Sequence, residues 1–361
     1  MESMVNKEFW KNKRVFVTGA TGLVGTWLTK ALVDTGAYVV VLMHDWDPQS
    51  DLIRSGTIND VSVVNGELQS YADIERAINE HEIDSVFHLG AQAIVGTALR
   101  NPLPTFEANI RGTYNLLEAC RVHSSMVKRV VIASSDKSYG TCDVLPYSEE
   151  MPSRGNHPYD VSKSCTDLLS QTYYNTYDLP VVIARCGNIY GGGDLNWSRI
   201  IPGTVRCLYS GENPVIRSDG TFLRDYVFIQ DAVEAYIVMA QSLGRVDVRG
   251  EAFNFGPMSP LSVVEVVNAV SKIMGREDLE PQILNTAKAE IRDQYLSSKK
   301  AKKVLQWSPR YDLETGLLET VSWYMRYFKE MGFAEDKKNL DEHKSKLQKM
   351  AEMNKAPMEV L

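Results

Sequence analysis

Apolar runs alternate with helical patterns over the first half of the chain. Buried-strand candidates, which are rich in β-branched residues, occupy Arg14–Thr18, Tyr38–Met43, Ser85–Leu89, Arg129–Ser134 and Pro180–Arg185. Segments with apolar residues at helical spacing lie between them, at Thr26–Val33, Tyr71–Glu80, Thr105–Arg121 and Tyr159–Tyr177. Continuous apolar strands that alternate with helices are typical of a parallel sheet covered on both faces. The pattern predicts the α/β class.

This regular alternation stops after Gly187, which predicts a second, smaller mixed α/β domain. One further strand is predicted at Phe253–Pro257, and one amphipathic helix at Ser262–Met274. We assign residues 1–187 and about 227–257 to the first domain, and residues 188–226 and 258–328 to the second. Residues 329–361, dense in Lys, Glu and Met, are predicted to form a charged helical or disordered tail, with an oligomer-forming arm as the alternative.

Composition narrows the functional classes. The chain has 361 residues, and at about 150 residues per domain this length favours two domains. The formal charge of −7 argues against nucleic acid or an anionic membrane as the main partner. Five cysteines without a Cys-x-x-Cys pair argue against a metal site or a complete disulfide framework. No apolar stretch has the length of a secretory signal or membrane span, so a soluble cytoplasmic protein is expected.

The glycine-rich segment after the first strand is the first candidate for chemistry. Gly19, Gly22 and Gly25 follow the strand and open the next helix. Glycines in that position let the backbone approach a pyrophosphate and place it at a helix N-terminus. The sequence therefore predicts a Rossmann-type, doubly wound dinucleotide-binding domain. A strand-to-helix turn without ligand is the alternative.

Asp45 lies about 20 residues beyond this loop, where such domains carry an acid that binds the ribose hydroxyls. An acid at that position favours NAD over NADP, because it repels a 2′-phosphate. The alternative is a solvated loop aspartate, since the strand itself ends on the apolar residue Met43.

Tyr159 and Lys163 form a candidate proton-transfer pair. Their i, i+4 spacing in a predicted helix puts both side chains on one face. A phenol has a reference pKa near 10 and is a poor base at neutral pH, but a nearby ammonium favours the phenolate. Tyr-x-x-x-Lys alone is common by chance. The assignment of Tyr159 and Lys163 as a pair is supported here by the glycine loop and by Ser134–Lys137 at the end of an intervening strand.

With these residues in view, residues 10–328 resemble the extended short-chain dehydrogenase/reductases that act on nucleotide sugars. The matching stretches are Thr18–Gly25, His88–Gln92, Asn109–Thr113, Tyr159–Lys163, Arg224–Val227 and Arg292–Gln294. Within that family, Ser135–Lys137 and Gly187–Asp194 most resemble the CDP-glucose 4,6-dehydratases. Arg224–Val227 instead has the form seen in the wider epimerase/dehydratase group, which leaves the nucleobase open.

The resemblance implies an NAD-dependent 4,6-dehydratase with NAD as a recycled hydride carrier. The implied catalytic residues are Ser135, Asp136, Lys137, Tyr159 and Lys163. Tyr159 would take the O4 proton of the hexose, Ser135 would hydrogen-bond O4, and Lys163 would favour the phenolate. Lys137 would remove the C5 proton and Asp136 would protonate the departing O6. Alternatives are a plain Asp136–Lys137 ion pair, a nucleotide-sugar 4-epimerase, and a non-catalytic NAD-binding sensor.

The resemblance also implies the binding residues and the assembly. The implied cofactor-binding residues are Gly19, Thr21, Gly22, Leu23, Val24, Gly25, Asp45, Glu67, Leu68, Leu89, Gly90, Ala91, Gln92, Asn109, Tyr159 and Lys163. The implied nucleotide-sugar ligands are Asn188, Arg199, Arg217, Arg224 and Arg292. Guanidinium groups suit diphosphate oxygens, and surface salt bridges are the alternative for Arg224 and Arg292. Relatives dimerise through the helices that correspond to 105–121 and 159–177, so a homodimer or a higher homo-oligomer is expected.

Overall fold

Residues 4–286 and 291–333 are described by the structure, which is a computed structural model. The chain forms two compact units. The first comprises Met1–Ile189, Arg224–Pro260 and Ile291–Tyr311. The second comprises Tyr190–Leu223, Leu261–Glu290 and Asp312–Leu361. Most of the predicted tail lies outside the described residues, which end at residue 333.

The first unit is built on a parallel sheet. Its strands are β1 (Arg14–Thr18), β2 (Tyr38–Met43), β3 (Ser62–Asn65), β4 (Ser85–His88), β5 (Arg129–Ala133), β6 (Val181–Cys186) and β11 (Ala252–Phe255). In the described residues these seven strands follow the order β11-β6-β5-β4-β1-β2-β3, and every adjacent pair is parallel. The strand order reverses between β1 and β4, as in doubly wound folds. This confirms the predicted fold class.

Short strands complete the list: β7 (Asn188–Tyr190), β8 (Val215–Ile216), β9 (Leu223–Arg224), β10 (Tyr226–Phe228), β12 (Leu261–Ser262) and β13 (Gln282–Ile283). The α-helices of the described chain are α1 (Lys7–Trp10), α2 (Leu23–Asp34), α3 (Asp51–Arg54), α4 (Tyr71–Glu80), α5 (Val95–Arg100), α6 (Pro102–Phe106), α7 (Gly112–Val122), α8 (Pro158–Tyr177), α9 (Ile200–Tyr209), α10 (Ile229–Ser242), α11 (Val263–Met274) and α12 (Leu313–Glu330). The predicted helix at 105–121 is divided, because a π-helical turn at Glu107–Arg111 joins α6 to α7.

Helices cover both faces of the sheet. On one face, Ile74 of α4 and Leu116 of α7 pack against Phe16, Val40 and Val86 of the strands. On the other face α2 packs against α10, which also contacts β5 and β6. The sheet is therefore buried on both sides, which leaves the carboxyl ends of its strands as the accessible edge for chemistry.

The second unit contains α9, α11 and α12. Ser262 and Glu265 form a capping box that starts α11, and Gly275 ends it in the left-handed conformation. Asp312 caps α12 by accepting a hydrogen bond from the amide of Thr315. None of the helices in the described part of the chain is long and apolar enough to cross a membrane.

The unit boundaries differ from the predicted domain boundaries at Ile291–Tyr311, which packs with the first unit. Hydrogen bonds between backbone and side-chain groups explain the difference. The amide of Leu296 donates to the buried carboxylate of Asp225 at 3.0 Å, and the hydroxyl of Ser298 donates to the carbonyl of Gly256 at 2.7 Å. The assignment of one unit to NAD and the other to the nucleotide sugar stays a prediction.

Candidate active site

The glycine loop at the end of β1 is a tight turn with no room for a Cβ atom at Gly19 or Gly25. Gly19 has a φ of 72°, and a Cβ atom there would lie 2.7 Å from the Cα of Gly90. A Cβ at Gly25 would lie 2.0 Å from the carbonyl oxygen of Gly19. Helix α2 begins at Leu23, and its N-cap, Gly22, has no side chain to satisfy the first amides. This geometry fits a pyrophosphate at the helix N-terminus.

A buried network holds the neighbouring loop after β4. The hydroxyl of Thr18 accepts from the amide of Gly90 at 3.1 Å and contacts Nδ1 of His88 at 2.8 Å. The other ring nitrogen of His88 lies 3.3 Å from the Thr113 hydroxyl. Burial lowers the pKa of His88 to about 3, and the Lys163 charge adds to the shift, so the imidazole is neutral. Sequence reasoning noted His88 only as part of a motif and missed this supporting role.

Asn109 connects the same loop to the helix that carries Tyr159. Its amide oxygen accepts from the backbone of Gln92 at 2.7 Å, and its amide nitrogen donates to the Gln92 carbonyl at 3.1 Å. That nitrogen also donates to the hydroxyl of Ser162 at 2.9 Å, which in turn donates to the Tyr159 carbonyl at 2.7 Å. The side chain is fully buried. The geometry assigns Asn109 a positioning role, and direct contact with a cofactor stays a prediction.

The predicted ribose-binding residues follow the ends of β2 and β3. The side chains of Asp45 and Glu67 are 82% and 57% exposed, so both carboxylates are available to a ligand. His44 lies between them, 3.3 Å from Asp45 and 3.7 Å from Glu67. Leu68 packs beneath the loop, because a Cβ at Gly90 would lie 3.0 Å from its Cδ1 atom. Other predicted cofactor residues sit on the two loops or at the start of α2, namely Thr21, Val24, Leu89 and Ala91.

Lys163 reaches the end of β5 from helix α8. Its ammonium donates to the carbonyl of Ala133 at 2.7 Å and lies 6.0 Å from the centroid of the Tyr159 ring. The side chain is almost fully buried. Burial lowers the pKa of Lys163 to about 8, an effect that the charge of Asp167 partly opposes. The two members of the predicted pair are therefore adjacent, with the ammonium held by the strand.

A 3₁₀ turn at Asp136–Tyr139 follows the end of β5 and carries the other predicted catalytic residues. Ser135 caps this turn, because its hydroxyl accepts from the amide of Lys137 at 3.2 Å. The same hydroxyl donates to Oδ1 of Asp136 at 2.9 Å. Nζ of Lys137 lies 3.6 Å from Oδ2 of Asp136, which is buried. A serine, a carboxylate and an ammonium are thus brought together at one strand end.

Gln294 completes this group and was not predicted as a site residue. The Lys137 ammonium donates to its amide oxygen, and its amide nitrogen donates to the backbone carbonyl of Asp136 at 2.8 Å. Gln294 is fully buried. In the sequence, Gln294 is marked only by its place in the Arg292–Gln294 motif. Residues 137 and 294 are too far apart in the chain for their contact to produce a local pattern.

The predicted substrate arginines occupy different settings. The buried guanidinium of Arg224 donates to the backbone carbonyls of Arg292, at 2.6 Å, and of Ile291. The Arg292 side chain is 70% exposed. In the second unit, Arg199 pairs with Asp194 at 2.9 Å, and Arg217 is exposed.

The Arg224 guanidinium therefore binds the backbone of the segment that contains Ile291 and Arg292. The backbone amide of Asn188, the remaining predicted substrate ligand, donates to the Asp225 carbonyl at 2.9 Å. Contact of all five residues with a nucleotide sugar stays a prediction.

Comparison with known proteins establishes the family. The family described as GDP-mannose 4,6 dehydratase matches residues 16–320, and the chain belongs to it. The CDP-glucose 4,6-dehydratase of Salmonella typhimurium is 30% identical over 342 residues, which cover 90% of this chain and 94% of that protein. The predicted resemblance to nucleotide-sugar dehydratases and epimerases is confirmed.

Solved structures of both enzyme types share this architecture. The dTDP-glucose 4,6-dehydratase of Bacillus anthracis, in complex with NAD, superimposes with a TM-score of 0.78 at 26% identity. That match covers 88% of this chain and 98% of the other. The UDP-glucose 4-epimerase of Thermotoga maritima, with UDP-glucose, has a TM-score of 0.77 at 26% identity and covers 87% and 99%. The fold therefore does not distinguish elimination from epimerisation.

Proposed function

We propose that this protein is an NAD-dependent nucleotide-sugar 4,6-dehydratase, with CDP-glucose as the favoured substrate. The observation that carries the proposal is the turn after β5, where Ser135, buried Asp136 and Lys137 meet within hydrogen-bonding or ion-pair distance. An elimination needs one group to remove a proton and another to protonate the leaving oxygen. Similarity to a CDP-glucose 4,6-dehydratase over 90% of the chain supports the choice of substrate.

The first unit has the features needed to hold NAD. A Cβ at Gly19 or Gly25 would clash with the backbone of the loop, so these glycines permit the tight turn, which would bring backbone amides close to a pyrophosphate. The exposed carboxylate of Asp45 is available to ribose hydroxyls. When bound, NAD would supply reversible hydride acceptance, which oxidises C4 of the sugar and later reduces C6.

The residues around Tyr159 supply the proton transfer for C4 oxidation. Tyr159 would take the proton of the O4 hydroxyl, and Ser135 would hydrogen-bond the same oxygen. Lys163, fixed by the Ala133 carbonyl, places a positive charge beside the phenol and favours the phenolate. This step is shared by dehydratases and epimerases.

Lys137 and Asp136 would carry out the elimination. A 4-keto group makes the C5 proton acidic, and Lys137, after passing its own proton to Asp136, would accept the C5 proton as a neutral amine. Asp136 would give its proton to O6, so that water leaves and a C5–C6 double bond forms. The hydrogen bond from the Ser135 hydroxyl to Oδ1 of Asp136 holds the carboxyl group against the turn.

Two other functions remain to be tested. The first is a nucleotide-sugar 4-epimerase, which is favoured by the equally close fold of the UDP-glucose 4-epimerase. In that case Asp136 and Lys137 form only an ion pair. The second is a non-catalytic NAD-binding sensor, which would not require the proton-transfer pair.

The deciding experiment is mass spectrometry of product mixtures. Purified protein and NAD would be incubated separately with CDP-glucose, dTDP-glucose, UDP-glucose and GDP-mannose. Loss of one water from CDP-glucose supports the proposal, and loss from another sugar corrects the nucleobase. An unchanged mass with an altered sugar configuration, read by NMR of the same mixtures, identifies an epimerase, and unchanged mass and configuration support the sensor.

We also propose a homodimer, located in the cytoplasm, formed through α7 and α8. Apolar side chains remain exposed on these helices, with Tyr114 38%, Leu168 56% and Tyr177 53% exposed. Burying such side chains against a second copy would remove them from water. Light scattering at micromolar concentration should give twice the chain mass, and Leu168→Glu should give one chain mass with the same thermal unfolding profile at high dilution. A monomeric wild type would contradict the dimer.

A further inference from the structure

We propose that Gln294 is a positioning residue that fixes the orientation of the Lys137 side-chain nitrogen in the elimination step. The inference rests on the proposed function of Lys137. Gln294 is fully buried, and both ends of its amide are engaged with the turn that carries Lys137. It comes from a segment far away in the sequence, so the contact depends on the tertiary fold.

The direction of the Gln294 amide is determined by its two partners. The backbone carbonyl of Asp136 can only accept, so it selects the NH₂ end of the amide. The Lys137 ammonium can only donate, so it selects the oxygen end. One N–H of Lys137 is therefore directed at the amide oxygen of Gln294. When Lys137 is a neutral amine, this contact leaves its second N–H and its lone pair pointing in directions set by the tetrahedral nitrogen.

The backbone that delivers Gln294 is itself clamped. Arg224 donates to the carbonyls of Ile291 and Arg292 just before it. The Leu296 amide, just after it, donates to the buried carboxylate of Asp225 at 3.0 Å. Hydrogen bonds therefore hold the backbone on both sides of Gln294.

The neutrality of Gln294 also matters for a lysine that must lose its proton. Two carboxylates act on Lys137: Asp136, 3.6 Å away on its own turn, is one of its charged neighbours, and Asp160 on α8 is another. The segment that packs against it from Ile291 to Leu296 contributes an uncharged amide at the contact. A carboxylate at this contact would hold the proton on Lys137 more strongly, whereas an amide orients the nitrogen without adding negative charge.

The test uses Gln294→Glu, Gln294→Leu and a matched control, Gln230→Glu. Gln230 accepts from the Tyr311 hydroxyl through its amide oxygen, a contact that a carboxylate can keep. Two readouts are needed. The first is the pH midpoint of Lys137 reactivity toward acetic anhydride, followed peptide by peptide in the NAD-loaded protein. The second is the pH profile of C5 deuterium exchange with CDP-glucose.

In Gln294→Glu, the Lys137 labelling midpoint should rise by at least about one pH unit, and the exchange profile should move up by the same amount. In Gln294→Leu, C5 exchange should fall about 10- to 100-fold while NAD binding is retained. Gln230→Glu should match the wild type in both readouts. If Gln294→Glu leaves the labelling midpoint unchanged, or Gln294→Leu keeps wild-type exchange, the proposal is wrong.

The labelling experiment requires no turnover, so it tests the effect of Gln294 on Lys137 independently of the proposed dehydratase activity. If the wild type exchanges C5 in no nucleotide sugar, the proposed function fails, yet the labelling midpoints still decide whether Gln294 acts on Lys137. If Gln294→Leu does not fold, the nearly isosteric Gln294→Glu still decides the point.

Discussion

The ammonium nitrogen of Lys163 lies 6.0 Å from the centroid of the Tyr159 ring and is anchored 2.7 Å from the carbonyl of Ala133. The anchor comes from the last residue of β5, and Lys163 and Tyr159 are one helical turn apart on α8. The strand therefore fixes the charge that acts on the phenol. Because burial lowers the pKa of Lys163 to about 8, that charge is lost at a pH that an assay can reach.

We expect Lys163→Arg to extend activity to higher pH. In the wild type, kcat/KM should decline as the pH rises through about 8, since Lys163 becomes neutral and no longer favours the phenolate. Arginine keeps its charge, so the alkaline decline should move up by one unit or more even if the maximal rate is lower. The measurement is a pH profile of kcat/KM for each protein, and superimposable alkaline limbs would contradict this role of Lys163.

Lys137→Ala should separate oxidation from elimination. Tyr159→Phe removes the hydroxyl needed for the first proton transfer, so neither absorbance of reduced NAD nor product should appear. Lys137→Ala should still accumulate that absorbance on addition of CDP-glucose, while C5 exchange and water loss fall about 10²- to 10⁴-fold. Lys128→Ala is the matched control, because Lys128 is exposed and its ammonium donates to the backbone carbonyl of Ser124. Wild-type turnover in Lys137→Ala would favour the epimerase.

Gly25→Ala should disrupt the glycine loop. A methyl group at Gly25 would lie 2.0 Å from the Gly19 carbonyl oxygen, so the backbone must shift. Overpacking of this kind costs about 1–3 kcal/mol, and the shifted loop should also lose NAD binding. Gly244→Ala is the control, because a Cβ there would meet no atom within 4 Å. Thermal unfolding with and without NAD measures both effects. A wild-type NAD-dependent shift in Gly25→Ala would contradict the assigned site.

Local patterns were sufficient to predict much of the fold. The continuous apolar runs of β1, β2, β4, β5 and β6 are visible because these strands are buried on both faces. β3 has a single fully buried residue, Val64, and therefore no such run. Helices α10 and α12 were missed, although Asp312 caps the start of α12 and β10 directly precedes α10.

The candidate site was predictable only where a motif lies in one stretch of sequence. The Tyr159–Lys163 spacing and the Ser135–Lys137 triplet are local, and the structure places each group together. The Gln294–Lys137 contact joins residues far apart in the chain, and the carbonyls that bind the Arg224 guanidinium are backbone groups. Neither contact depends on a local spacing of residue types, so only the tertiary structure reveals it.

Asp45 should determine the choice between NAD and NADP. Its side chain is 82% exposed after the end of β2, so the carboxylate is accessible to a ribose and would repel a 2′-phosphate placed there. The wild type should show a larger thermal shift with NAD, and at 100 times the dissociation constant the added stability is about 2.7 kcal/mol. Asp45→Asn should reduce the difference between the thermal shifts with NAD and with NADP. Asp47→Asn is a nearby control and should keep the wild-type difference. A larger shift with NADP in the wild type would contradict the assignment.

His88 should make the protein less stable in mild acid. Burial lowers its pKa in the folded state to about 3, against about 6.5 in the unfolded chain. Between these values the unfolded state binds more protons, so the free energy of unfolding falls as the pH falls. The loss from this group between pH 7 and pH 5 is roughly 2 kcal/mol.

The comparison of wild type with His88→Asn isolates this contribution. The variant loses hydrogen bonds to Thr18 and Thr113, so it should be less stable at pH 7. The variant also lacks the buried imidazole that destabilises the wild type in acid. The difference in free energy of unfolding between the wild type and the variant should therefore be smaller by roughly 2 kcal/mol at pH 5 than at pH 7. Asp225 has the opposite sign, because burial raises its carboxyl pKa to about 6, but it is present in both proteins and cancels. Urea unfolding at the two pH values measures the deficit, and an equal deficit at both would show that His88 is not held neutral.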